Sequence, residues 1–157
     1  MKVLFVCTAN ICRSPMAAAW FRKRAADSGL GHVAADSAGI PGLKGRAAAP
    51  EVVALLHPLG CDDLLSHRSR PIRASDLASS DLVVAMELRH MEALHARFPD
   101  FDDRVVLLRA FEHGPDPVPG SPDLDDPIGG PPEGYALTFA RVRACVEGLV
   151  LHLRHRG

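Results

Sequence analysis

Short uninterrupted apolar runs alternate along this chain with apolar positions at helical spacing. Residues 2–6 (KVLFV) read as a fully buried strand, after which Met16, Ala17, Trp20 and Phe21 fall on one face of a helix closed by a C-cap at Gly29. Residues 33–38 form a second strand, and the Gly-, Pro- and Ala-rich stretch 39–50 is a loop. A helix from Glu51 to about Leu59 ends at Gly60, residues 81–86 (DLVVAM) make a third buried strand, and helical spacing resumes through Leu88, Met91 and Leu94 up to Pro99. Residues 104–108 give a short fourth strand. The segment 113–132 holds seven prolines and four glycines and reads as an irregular functional loop, because Asp125-Asp126-Pro127 lies within it. In the last helix Tyr135, Phe139, Val142, Val146, Leu149 and Leu153 repeat at 4-3-4-3-4 spacing, with a basic face expected to point into solvent.

Strands alternating with helices predict an α/β, three-layer sandwich: a four-stranded parallel sheet flanked by helices on both faces, with residues 1–157 forming one domain. A formal net charge of −1 and the absence of any like-charge block argue against a nucleic-acid binder and against a membrane-surface or polyanion patch. The apolar run after Lys2 is too short for a signal-peptide core, and no apolar stretch is long enough to cross a bilayer. A cytoplasmic location is therefore expected, in which the 4 cysteines are reduced thiols.

That expectation directs attention to residues 7–14, Cys-Thr-Ala-Asn-Ile-Cys-Arg-Ser, which join the first strand to the first helix. A Cys-x5-Arg pair alone is weak, since roughly 0.4 such pairs arise by chance in a chain this rich in arginine. The setting strengthens it. A strand-to-helix loop points its free N–H groups at one place with the positive end of a helix behind them, which is an anion site, and Ser14-Pro15 reads as N-cap and first helical residue. Inward N–H groups, the helix terminus and Arg13 all favour a thiolate at Cys7, which can attack a bound phosphoryl group to form a phosphocysteine. Arg13 would grip the equatorial oxygens, and Ser14 would hydrogen-bond the departing sulfur. Ester cleavage also needs a proton for the leaving oxygen. Asp126, on a loop stiffened by Pro127 and loosened by Gly129-Gly130, suits that role; Asp125 competes with it, and a turn-capping aspartate is equally compatible with the spacing. Cys12, so near Cys7, could trap an oxidised nucleophile as a disulfide.

These motifs together resemble the low-molecular-weight protein tyrosine phosphatases. The likeness rests on Cys7 to Arg13 with Ser14-Pro15, on Asp36-Ser37-Ala38-Gly39, on Ser66-His67-Arg68-Ser69-Arg70 and on Asp126-Pro127, in the family's order. It implies a flavodoxin-like sheet of the phosphotyrosine phosphatase I type and a cysteine-dependent, metal-independent phosphomonoesterase without a cofactor. It makes Cys7 the nucleophile, Arg13 the phosphate clamp and Asp126 the general acid. Thr8, Ala9, Asn10, Ile11, Cys12 and Ser14 would surround the substrate, with Asn10, Ser14, Ser37 and His67 holding the loop in shape. The implied partners are a phosphorylated protein or peptide, inorganic phosphate as product, and a cognate tyrosine kinase.

Departures from the family pattern bear on the substrate. Where phosphotyrosine-selective members usually place aromatic residues, this chain has Leu43, and Ile128 followed by Gly129, while its single Tyr and single Trp lie elsewhere in the sequence. Aliphatic walls lose about 0.5–1.5 kcal/mol per missing aromatic pair. A related branch that hydrolyses phosphoarginine is marked by threonine where this chain has Ile11, which favours an aryl ester, although Pro127-Ile128-Gly129-Gly130 is similar to that branch. Arginine phosphatase is thus the alternative reading. Arsenate reductase ranks lower, since Ser79-Ser80-Asp81 stands where that reaction has a cysteine pair. Glu87 follows Met86 where the family more often has aspartate.

Overall fold

The computed structural model describes residues 1–112 and 121–156, so residues 113–120 of the proline-rich segment lie outside the described residues. Four strands, β1 (Lys2–Cys7), β2 (Ala34–Gly39), β3 (Leu82–Ala85) and β4 (Val105–Leu107), pair in parallel in the order β2-β1-β3-β4. Among the described residues five α-helices accompany them: α1 (Arg13–Asp27), α2 (Pro50–Leu56), α3 (Ala74–Ala78), α4 (Leu88–Arg97) and α5 (Pro132–Arg154), with short 3-10 turns between.

β1 is the central strand, and its alternation divides the core in two. Val3, Phe5 and Cys7 face the layer built by α1 and α5, where Met16, Trp20, Phe21, Phe139, Val142, Val146 and Leu149 are buried. Leu4 and Val6 face the opposite layer of Ala38, Ile72, Leu77, Val83 and Leu94. Each such side chain removed from water contributes about 1.5–3 kcal/mol, so β1 is tied down from both faces. The strand order reverses direction at β1, and in open parallel sheets the crevice beyond that reversal is where ligands sit. Cys7, paired in register with Gly39, ends β1 at this point.

Several sequence expectations need correction. Helix α1 begins at Arg13, with Cys12 in the N-cap position and no side-chain cap bond, so Ser14 is not the N-cap; its hydroxyl is used elsewhere. The other end of α1 closes as a Schellman turn: the Leu30 amide donates to the Ala25 carbonyl at 2.8 Å, with Gly29 left-handed at φ +79°. The short α3 has too few residues to show a helical period in the sequence. The outer face of α5 is not simply basic and solvated. Arg143 lies over the Trp20 ring at 5.1 Å, Arg141 pairs with Glu112 at 3.3 Å, and Leu137 is 73% exposed.

Candidate active site

Between the end of β1 and the start of α1 the chain folds back on itself, and Asn10 makes this possible. It adopts the left-handed conformation, φ +62°, which asparagine tolerates better than most residues. Its fully buried side chain uses every polar group it has: Nδ2 donates to Ser14 Oγ at 2.8 Å and to Ser37 Oγ at 2.9 Å, and Oδ1 accepts from the Arg70 amide at 3.0 Å. His67 Nε2 donates to the Asn10 carbonyl at 2.7 Å, tying the loop to residue 67. Burial lowers the pKa of His67, outweighing the opposite pull of this carbonyl. Ser14 Oγ accepts from Asn10 and lies 2.9 Å from Cys7 Sγ, its closest partner, with the Ala38 carbonyl a more distant acceptor at 3.4 Å.

Arg13 is 1% exposed, an extreme burial for a guanidinium. Its NH1 donates to the Leu124 carbonyl at 2.7 Å and to Glu87 Oε1, and its NH2 lies 3.4 Å from Asp126 Oδ2. Burial alone would raise the pKa of Glu87, but hydrogen bonds from Arg89 and Arg13 more than offset it and hold the carboxyl below its ordinary range. The other oxygen of Asp126 accepts from the Ile128 amide at 3.1 Å, an Asx turn that aims the carboxylate.

Cys7, Ala9, Ile11, Cys12, Arg13, Asp126 and Ile128 line one narrow pocket. Asp125 instead faces a neighbouring cleft with Leu137 and Arg141. Thr8, Asn10, Ser14, Ser37 and His67 do not line the pocket; all but Thr8 stand behind it as the network just described. Leu43, 42% exposed, does not line the pocket either, although its amide donates to the Ala9 carbonyl at 3.2 Å. Burial, reinforced by the nearby Cys7, pushes the Cys12 thiol up to about 12, so it remains protonated. Among the described residues no three of His, Cys, Asp and Glu gather as a metal-ligand set.

The family described as low molecular weight phosphotyrosine protein phosphatase matches residues 2–156. The chain belongs to this family. A low molecular weight protein-tyrosine-phosphatase of Streptomyces coelicolor is 41% identical, covering 99% of this chain and 94% of that protein. A protein-arginine-phosphatase of Bacillus subtilis is 32% identical over 98% of this chain and 97% of its own length. Among solved structures, the YwlE arginine phosphatase in a cysteine-to-serine form with a phosphorylated active-site serine superposes with a TM-score of 0.86 at 30% identity, covering 98% of this chain and 96% of that one.

Parts of this low molecular weight phosphatase escaped the sequence reading. Glu87, noted only as a departure, contacts Arg13 directly. His90, 2% exposed, was hidden among apolar helix positions; its Nδ1 accepts from the Glu87 amide at 3.1 Å, so the proton sits on Nε2, which donates to Thr8 Oγ1 at 2.8 Å. Arg70, inside a motif but without an assigned role, presents its amide to Asn10 while its guanidinium is held by Asp36 at 2.9 Å and Asp76 at 2.8 Å. Tyr135, on the first turn of α5, is 4% exposed with its hydroxyl against the Gly129 backbone, and burial raises its pKa. It holds that loop and does not line the pocket.

Proposed function

We propose that this phosphatase hydrolyses phosphotyrosine in proteins or peptides through a phosphocysteine intermediate. The Cys7 thiolate attacks phosphorus in line and forms a P–S bond, the P–O bond to the tyrosine breaks, and Asp126 delivers its proton to the departing phenolate oxygen. Arg13 and the loop amides hold the equatorial oxygens as charge shifts among them. A water molecule then attacks the phosphocysteine, giving its proton to Asp126. The P–S bond breaks, Ser14 hydrogen-bonds the released thiolate, and inorganic phosphate leaves. The observation that supports these roles most is the meeting of Cys7, Arg13 and Asp126 in one pocket, with the Ser14 hydroxyl 2.9 Å from the sulfur.

Ile11 and Ile128 on the pocket walls suit an aryl group and offer no acceptor to a guanidinium. A second reading, phosphoarginine hydrolysis, is favoured by the Bacillus subtilis relative and by the Ile128-Gly129-Gly130 sequence. Four buried free thiols suit a cytoplasmic enzyme. The test is turnover of phosphotyrosine and phosphoarginine peptides, and of arsenate with thioredoxin, by the parent, Cys7→Ser and Asp126→Asn. Phosphotyrosine should be preferred at least about tenfold, Cys7→Ser should be inactive, and Asp126→Asn should lose about a hundredfold or more. Retained phosphatase activity in Cys7→Ser would overturn the mechanism, and a phosphoarginine preference would reverse the choice of substrate.

A further inference from the structure

Asp126 is 37% exposed, and its own contacts are few: the Ile128 amide within its turn and Arg13 NH2 at 3.4 Å. What fixes its place lies just upstream. The Leu124 amide donates to the Met86 carbonyl at 2.8 Å, Arg13 NH1 donates to the Leu124 carbonyl at 2.7 Å, and the Leu88 amide donates to Asp123 Oδ1 at 2.7 Å. Leu88 opens α4, so its amide is one of those a helix leaves without an internal acceptor. The carboxylate of Glu87, which precedes it, is occupied by Arg13 and Arg89. Asp123 therefore satisfies the start of α4 from a distant part of the chain, and in doing so pins the loop three residues before Asp126 to the same turn whose Glu87 holds Arg13.

We propose that Asp123 is a positioning residue for Asp126: its bond to the Leu88 amide sets the angle at which the 123–128 loop enters the pocket. The proposal rests on Asp126 being the general acid. Proton delivery demands hydrogen-bond reach to the leaving oxygen, and displacements of about 1 Å at a reacting group are felt in rate. The Leu124 side chain, 1% exposed, and its two backbone bonds are untouched by substitutions at Asp123, so the loop stays attached while its orientation loosens. A purely structural role as a helix cap would lower stability and leave the proton transfer alone.

The experiment compares kcat/KM for phosphotyrosine, a poor leaving group that needs the proton, with 4-nitrophenyl phosphate, a good one that does not. Asp126→Asn should raise the nitrophenyl-to-tyrosine ratio about a hundredfold. Asp123→Ala should raise it about tenfold, and Asp123→Asn, whose side-chain oxygen still accepts from Leu88, should return it near the parent value. A ratio within about twofold of the parent in Asp123→Ala, alongside the full shift in Asp126→Asn, overturns the positioning role. An unchanged ratio in Asp126→Asn overturns the acid assignment and the proposal with it.

Discussion

His90 has one ring nitrogen committed to accepting from the Glu87 amide and the other to donating to Thr8. Protonating Nδ1 would set N–H against N–H. Burial, joined by the positive field of Arg13, lowers the pKa of this histidine from 6.5 to about 4, against the opposing pull of Glu87 and Asp123. The unfolded state thus binds the proton at a higher pH than the native state does, so stability falls as pH drops from 6.5 toward 4. Between pH 7 and 5 the parent should lose about 2 kcal/mol in urea unfolding from this group, and His90→Asn should not. An equal slope in both proteins would show that the ring is not buried neutral. Glu87 makes a different prediction. Glu87→Gln keeps an acceptor for Arg13 but removes the charge that holds it, so kcat/KM should fall about tenfold for good and poor leaving groups alike. A leaving-group-dependent loss would instead assign Glu87 to the proton transfer.

At the scale of elements, the two loops at the end of the sheet fit together only because two positions lack a side chain. A Cβ on Gly39 would lie 2.6 Å from the Gly42 Cα and 2.6 Å from the Thr8 carbonyl, and all its near neighbours are backbone, which cannot rotate away. Gly39→Ala should cost about 2–3 kcal/mol in urea unfolding and lower kcat, because relief requires moving the backbone of Thr8 and Ala9 in the 7–14 loop. Gly31, with nothing within 4 Å, provides the control: Gly31→Ala should change neither. Strands β1 and β3 and the long helices were legible because burial on both sheet faces leaves continuous apolar runs and the helix faces repeat at helical spacing. Residues 7–14 stand out in the sequence because one short segment holds a cysteine, a run of amides and a guanidinium. The sequence offers Ser14 both as N-cap and as partner of the Cys7 sulfur, and only the second stands, because α1 already begins at Arg13 and the hydroxyl lies 2.9 Å from that sulfur. Glu87 and Asp123 act across the chain, on Arg13 and on the Leu88 amide, and nothing in their own sequence surroundings marks them.

For the whole molecule, the site is where separate parts of the chain are joined. Residues 7–14, 37, 67–70, 87–90 and 123–128 all meet at the carboxyl edge of the sheet, and the polar bonds among them bridge the layer of α1 and α5 to the layer of Leu77 and Leu94. A phosphate held by the 8–13 amides and Arg13 would draw on this entire framework, so binding and global stability are linked: any ligand that binds only the native state raises the unfolding free energy. At ten times its own dissociation constant, inorganic phosphate should stabilise the parent by about 1.4 kcal/mol, or about 3–6 °C in Tm for a chain of this length. Arg13→Lys replaces a planar two-pronged donor with a point charge and cannot bridge Glu87, the Leu124 carbonyl and two phosphate oxygens together. Its phosphate-induced shift should therefore vanish at the same concentration. Cys7→Ser, which leaves the loop amides and Arg13 in place, should keep most of the shift while losing turnover. A shift that survived in Arg13→Lys and disappeared in Cys7→Ser would place the anion on the sulfur side of the loop, and would remove Arg13 from phosphate binding.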